Sequence, residues 1–341
     1  MIRYIVRRLL LAVLSIWFIS ILAFVVIQMP EGDWLDTYLE NTRREGFPLS
    51  PDTERDLRQY YGLDQPMVFR YLKWSWNLLH GDAGWSYMPR GSTVRGDGMD
   101  LIPRPVTDIV MERLLLTIAL TGMTIVVTWV LAIPIGIYSA VRHNTIGDYT
   151  FTFVGFLGLA VPDFLLGLLL MYIAFAYFDQ SVGGLFSGEF REAPWGPARV
   201  WDLLKHLWIP AIVLGTSGTA SLIRVLRNNL LDELRKPYVM TARSKGLSGW
   251  RTVVKYPLRV AINPLLSTIG YLLPALVSGS VIVSLVLGLS TIGPVLLAAI
   301  TIQDTYLAGF IVLMLGVLTV IGTLLSDLVL AWADPRIRYV D

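Results

Sequence analysis

The sequence predicts an all-α polytopic membrane protein of six transmembrane helices, and three observations predict it. Of its 341 residues, 54% are hydrophobic and only 16% charged, against about 25% charged in an ordinary soluble domain. Six apolar runs, roughly 9–29, 113–138, 149–178, 204–223, 262–289 and 306–332, reach or exceed the ~20 residues that a helix needs to cross a bilayer. The loops between them carry basic residues on alternate sides.

The first run follows Met-Ile-Arg3-Tyr-Ile-Val-Arg7-Arg8, the charge pattern of a secretory n-region. It closes on Val-Val-Ile-Gln-Met-Pro30 without an A-x-A cleavage site, so a retained helix is expected. Arg3, Arg7 and Arg8 place the amino end in the cytoplasm, and six crossings return the carboxyl end to that side. The domain scheme is then a cytoplasmic start and first helix (1–29), an outer segment (30–110) and a five-helix core (111–341). The outer segment holds Tyr60, Tyr61, Leu63, Val68, Phe69, Tyr71, Leu72, Trp74, Trp76 and Leu79, enough apolar surface for a small folded subdomain. Residues 88–104 read as an exposed loop.

In the second run, Thr117, Thr121, Thr124 and Thr128 recur at i, i+4, i+7 and i+11, one face of a helix. Such a stripe either lines a wet translocation path or forms a helix–helix seam, since small hydroxyl residues favour close approach in lipid. The third run is longer than a span requires, and Pro162 is a candidate kink. Asp163 follows it, and an acid there needs a cavity, a partner helix or an interface. The fourth run contains Gly215-Thr-Ser-Gly-Thr-Ala-Ser221, a close-packing or pathway segment that includes Ser217. Pro274 is a candidate kink in the fifth.

The loop after the fourth run, 224–260, carries Arg224, Arg227, Arg235, Lys236, Arg243, Lys245, Arg251, Lys255 and Arg259 against Asp232 and Glu233. Within it, Pro237 suits the first position of a helix. Tyr238 to Lys245 give two turns, and Gly246 supplies a left-handed stop. Ser248 is placed to cap a further stretch, Trp250 to Tyr256, before Pro257. The expected product is a short knob with small faces at Thr241, Ala242 and Ser244, suited to seating in a cleft of a soluble partner. An ordinary positive-inside loop has the same composition, so the residues alone leave both readings open.

Other chemistry is poorly served. There are no cysteines, and His80, His143 and His206 form no metal-binding spacing. A net charge of +2 gives no reason to expect a nucleic-acid partner. No G-x-x-x-x-G-K-[ST] loop is present to cradle nucleotide phosphates.

Tyr238-Val-Met-Thr-Ala-Arg-Ser-Lys-Gly-Leu247 resembles the ATPase-docking motif of bacterial ABC importer permeases of the oligopeptide/dipeptide type. The likeness extends to the basic, leucine-rich Met1–Leu14, to Tyr61-Gly-Leu-Asp-Gln-Pro66, to His80-Gly-Asp-Ala-Gly-Trp-Ser86, to Arg104-Pro-Val and to Asp334-Pro-Arg-Ile-Arg338. The outer motifs are those of the B-type subunit. Departures are Met240 at the glutamate of the general permease motif, Tyr256-Pro257, Val260, and a weak form of the outer segment at Leu287–Pro294.

The resemblance implies the type I importer architecture and a non-enzymatic chain paired with a second, C-type permease. It also implies two cytosolic ATPases that bind the ATP and Mg, and an extracytoplasmic solute-binding protein. It assigns docking to Tyr238, Thr241, Ala242, Arg243, Lys245, Gly246 and Leu247. The path candidates, Thr117, Thr121, Thr124, Thr128, Asp163 and Ser217, rest on the residues themselves. The competing readings are a secondary transporter acting alone, for which no paired intramembrane acids or repeat are visible, and an intramembrane serine protease built on the G-x-S-G around Ser217, for which no base is at hand.

Overall fold

The computed structural model describes residues 2–29, 32–44, 46, 49–87, 92–95, 98–101, 104–178, 183–191, 193–268 and 281–333. Helix dominates, in keeping with bilayer-embedded backbone that must satisfy its own hydrogen bonds. The elements run α1 (Ile2–Gln28), α2 (Trp34–Arg44), α3 (Pro51–Tyr60), α4 (Met67–Leu79), β1 (Trp85–Ser86), β2 (Ser92–Arg95), β3 (Gly98–Leu101), β4 (Arg104–Pro105), α5 (Val106–Val141), α6 (Ile146–Ala160), α7 (Asp163–Phe178), α8 (Pro197–Leu234), α9 (Pro237–Ser244), α10 (Gly249–Lys255), α11 (Pro257–Ala261), α12 (Val281–Val286), α13 (Ile292–Thr301) and α14 (Thr305–Ala333).

Among the described residues, four stretches are long and apolar enough to cross a membrane: Leu10–Gln28 in α1, all of α5, all of α8, and Thr305–Leu330 in α14. The third predicted run is two helices, α6 and α7, bent by 102° at a short break that holds Pro162. Counted as one broken span, they bring the crossings among the described residues to five. The predicted fifth run is helical at 263–268 and in α12, and residues 269–280, with Pro274, lie outside the described residues. At 38 residues α8 is about 57 Å long, so it projects well past one bilayer face. Arg224 and Arg227, expected on a loop, are therefore on the helix itself.

By contact the chain forms two compact units, Met1–Leu115 with Thr291–Val317, and Leu116–Ser290 with Leu318–Asp341. Segment 30–110 thus shares a unit with the first helix and with residues near position 300.

In the first unit, Trp34, Leu35, Leu39 and Tyr87 are buried together with Tyr38, Leu57, Tyr61, Ile302 and Tyr306 around them. Trp34 stacks on both Tyr38 and Tyr87. Burial, then the neighbouring Tyr306 and Asp304, push the Tyr87 phenol well above its ordinary pKa. Arg58 of α3 binds Asp33 (2.9 Å), Asp36 and Glu54, which tethers α3 to the start of α2. The stretch expected as an exposed loop contains a hairpin, with Ser92 opposite Leu101 and Arg95 opposite Gly98. β1 and β4 pair antiparallel, Trp85 opposite Pro105. Within α4, Tyr71 and Trp74 pack inward, while Val68, Phe69, Leu72, Trp76 and Leu79 remain exposed.

In the second unit, α6, α7 and α11 all lie against α8. One core joins Leu116 and Leu120 of α5 to Leu207, Val213 and Leu214 of α8 and to Val283 and Leu287. Another joins Ala132, Ile137 and Ala140 of α5 to Leu222, Leu226 and Leu230 of α8 and to Val253, Ala261 and Leu265. Asp148, near the start of α6, is buried and receives both Nε (2.8 Å) and Nη2 (2.7 Å) of Arg227. The fork of a guanidinium matches a carboxylate in this way and fixes the relative position of two helices.

Candidate functional site

The site is the turn from α8 into α9. The Glu233 carboxylate receives the Tyr238 hydroxyl at 2.5 Å and the Lys236 ammonium at 3.1 Å. One side chain from the last turn of α8 thereby holds the first residues of the next helix. Lys236 has extended backbone (φ −72°, ψ 147°), and Pro237 opens α9, where its missing N–H is not needed and its φ is preset.

α9 closes as its glycine requires. Gly246 has φ +80°. The Leu247 N–H reaches Ala242 O (3.4 Å) and the Gly246 N–H reaches Arg243 O (2.9 Å), the paired bonds of a Schellman stop. The next helix locks onto this turn, with Thr252 Oγ1 donating to Leu247 O at 3.4 Å. Ser248 sits at the cap position of α10, but its side chain makes no cap hydrogen bond.

The helix thus has two faces. Val239 and Ala242 point inward, Ala242 being only 5% exposed, and α9 rests on α10. Tyr238, Met240, Thr241, Arg243, Ser244, Lys245 and Gly246 are exposed, and Leu247 is half-buried. Ala242, expected on the presented face, is instead an anchor, because i, i+3 spacing puts it beside Val239. The Thr241 and Ser244 hydroxyls donate to Pro237 O and Met240 O, each at 3.1 Å. Their outward surfaces are therefore mostly small and apolar. In the two helices that follow, Arg251, Lys255 and Arg259 are also exposed. The result is a short, capped, basic-rimmed knob on a packed base.

The path candidates fare differently. Thr117, Thr121, Thr124 and Thr128 are all buried within the chain. Thr128 Oγ1 donates to Gly215 O of α8 at 3.5 Å, and Thr124 Oγ1 to Leu120 O at 2.8 Å. A Cβ at Gly215 would lie 2.8 Å from Thr128 Oγ1. At Thr124 and Thr128 the stripe meets Gly215 of α8, the close approach that glycine permits. Asp163 is the first residue of α7, half-buried at the break, where a helix amino end favours negative charge. Ser217 is half-buried on α8.

His206, on the same helix as Ser217, is 11 residues away, about 16 Å along the axis. Its Nδ1 lies 2.8 Å from Asp202 O, and the Asp202 carboxylate receives Ser187 N (2.8 Å) and Oγ (2.6 Å). This histidine belongs to a packed cluster at the start of α8 and is out of reach of Ser217. Sequence reading missed the Asp148–Arg227 fork and the Glu233 clasp. The available signal for the first was a lone acid at the mouth of an apolar run.

Comparison with known proteins gives a consistent result. Residues 132–339 match the family described as the binding-protein-dependent transport system inner membrane component, and residues 1–121 match its N-terminal component. The chain is 31% identical over 343 residues to the oligopeptide transport system permease protein AppB of Bacillus subtilis, covering 98% of this chain and 99% of that one. It is 32% identical over 346 residues to a putative peptide permease protein of Brucella ovis, with 99% of each covered. It is 28% identical over 355 residues to the dipeptide transport system permease protein DppB of Escherichia coli, again with 99% of each covered. The chain belongs to the binding-protein-dependent transport inner membrane component family.

Proposed function

We propose that this chain is the B-type permease subunit of an ATP-driven, binding-protein-dependent importer of peptides or a related small solute. Family membership and its likeness to the AppB and DppB transport permeases support the transport reading. The observation that carries the docking role is α9, whose capped ends and buried Val239 and Ala242 leave Tyr238, Thr241, Arg243, Lys245 and Gly246 outward. A helix so anchored passes a push on its exposed face into α10, α11 and the long helix α8. Two cytosolic ATPases, which bind the ATP and Mg, seat on such knobs, one on this chain and one on a second, C-type permease. A solute-binding protein delivers cargo on the opposite side. Arg3, Arg7, Arg8 and the basic residues of 235–259 orient the chain in the bacterial cytoplasmic membrane with both termini inside. The burial of the four threonines within the chain favours a packing role for them, and Asp163 and Ser217 are kept as the path candidates.

The test is to extract the tagged chain gently from its native membrane and identify what accompanies it. A second permease with two ATPases is expected. Recovery of the chain alone, under conditions that preserve a known importer, overturns the proposal.

A further inference from the structure

α4 has three faces, not two. At 3.6 residues per turn, Tyr71, Trp74 and Leu78 fall on one arc, Arg70, Lys73, Asn77 and His80 on a second, and Val68, Phe69, Leu72, Trp76 and Leu79 on a third. The first arc is packed. Trp74 lies 5.6 Å from the Phe24 ring of α1, Tyr71 shares a 2.8 Å hydrogen bond with Ser20, and Gly309 of α14 meets the Trp74 ring. Among the described residues nothing covers the third arc: its five apolar side chains are 56–83% exposed.

The depth of those contacts indicates what covers it. The apolar stretch Leu10–Gln28 has 19 residues, about 28 Å of helix, close to the ~30 Å of bilayer hydrocarbon. Gln28 therefore stands at its edge. Phe24 is four residues inside that edge and Ser20 eight, about 6 and 12 Å. Leu313, eight residues into α14, belongs to the same cluster. An interfacial helix buries its apolar face by about 5–10 Å, so α4 is held at the right level. On α1 itself, Leu22, Val25 and Val26 are likewise exposed. α4 contains no acid, so the exposed Lys73 on its polar flank suits anionic headgroups, and Trp76 is the residue type that favours the membrane–water interface.

We infer that α4 is an in-plane membrane helix, sunk into the leaflet that the carboxyl end of α1 reaches, with Val68, Phe69, Leu72, Trp76 and Leu79 in contact with lipid. This goes beyond the docking proposal and is independent of it. It rests only on the membrane-spanning reading of α1.

The chain has no cysteine, so single nitroxide labels can report its surroundings. Leu72→Cys and Trp76→Cys probe the apolar arc, Lys73→Cys and Asn77→Cys the polar arc, and Leu14→Cys the exposed flank of α1. Each is studied in the assembled complex with cysteine-free partners, in nanodiscs of phosphatidylethanolamine and phosphatidylglycerol. The expected result is an oxygen-to-nickel-chelate accessibility ratio several-fold higher at 72 and 76 than at 73 and 77, approaching that at 14. Water-like ratios at 72 and 76, with a lipid-like value at 14, overturn the inference. Low accessibility to both reagents at 72 and 76 also overturns it, and assigns the arc to a protein partner. A water-like value at 14 sinks the spanning reading beneath it.

Discussion

Ser86 donates its hydroxyl to the Asp304 carboxylate at 2.5 Å, joining positions 218 residues apart. The same fully buried carboxylate accepts the Tyr87 N–H (2.8 Å) and, from the start of α14, the Leu307 N–H (3.0 Å). Asp304 is therefore both the cap of the last helix and the tether of β1. Replacing it by Ala leaves buried donors unmet and is expected to destabilise the first unit by roughly 2–4 kcal/mol, with Asp304→Asn milder. Thermal unfolding of the purified protein in nanodiscs checks this, and equal melting of wild type and Asp304→Ala refutes it.

The Asp148–Arg227 fork yields a sharper expectation. Asp148 is buried and Arg227 is three-quarters covered, so removing one partner strands the other at a cost of about 3–5 kcal/mol. Arg227→Lys should rescue poorly, because an ammonium cannot span both carboxylate oxygens. The double variant Asp148→Ala/Arg227→Ala should be more stable than Arg227→Ala alone, as a double-mutant cycle by denaturation would show.

The threonine seam is separable from a threonine path. Gly215→Ala places a methyl against Thr128 Oγ1 and should cost about 1–3 kcal/mol as overpacking. Adding Thr128→Ala should recover most of the stability and of the uptake. If uptake stays lost while stability returns, Thr128 acts on cargo and the seam account fails.

For the knob, Gly246→Trp forces a left-handed φ on a bulky residue, about 1–2 kcal/mol of local strain, and fills open surface beside Lys245. With charge reversal at Arg243 and Lys245 as a second, unstrained variant, both should let the complex hydrolyse ATP without importing solute. Normal uptake by assembled complexes of either kind is the outcome that contradicts docking through α9.

Much of this was legible because it depends on local rules. Pro237 and Gly246 located α9 to within a residue of each end, since φ constraints act without reference to the rest of the fold. Pro162 marked the break between α6 and α7 for the same reason. The inward turn of Ala242 was not visible, because a short helix reveals which residues share a face but not which face is covered. The packing of segment 30–110 was hidden for a related reason. Trp74 and Trp76 look alike in composition, yet one is packed beneath α1 and α14 while the other is exposed. Long-range pairs such as Ser86 with Asp304 leave no periodic trace at all.

The 102° break also bears on how the chain is made. α6 and α7 have 15 and 16 residues, about 22 and 24 Å, each short of the hydrocarbon thickness. Neither half is a self-sufficient insertion signal, and both lie against α8, which is synthesised after them. The bent pair can therefore complete its packing, with Arg227 on Asp148, only once α8 has emerged.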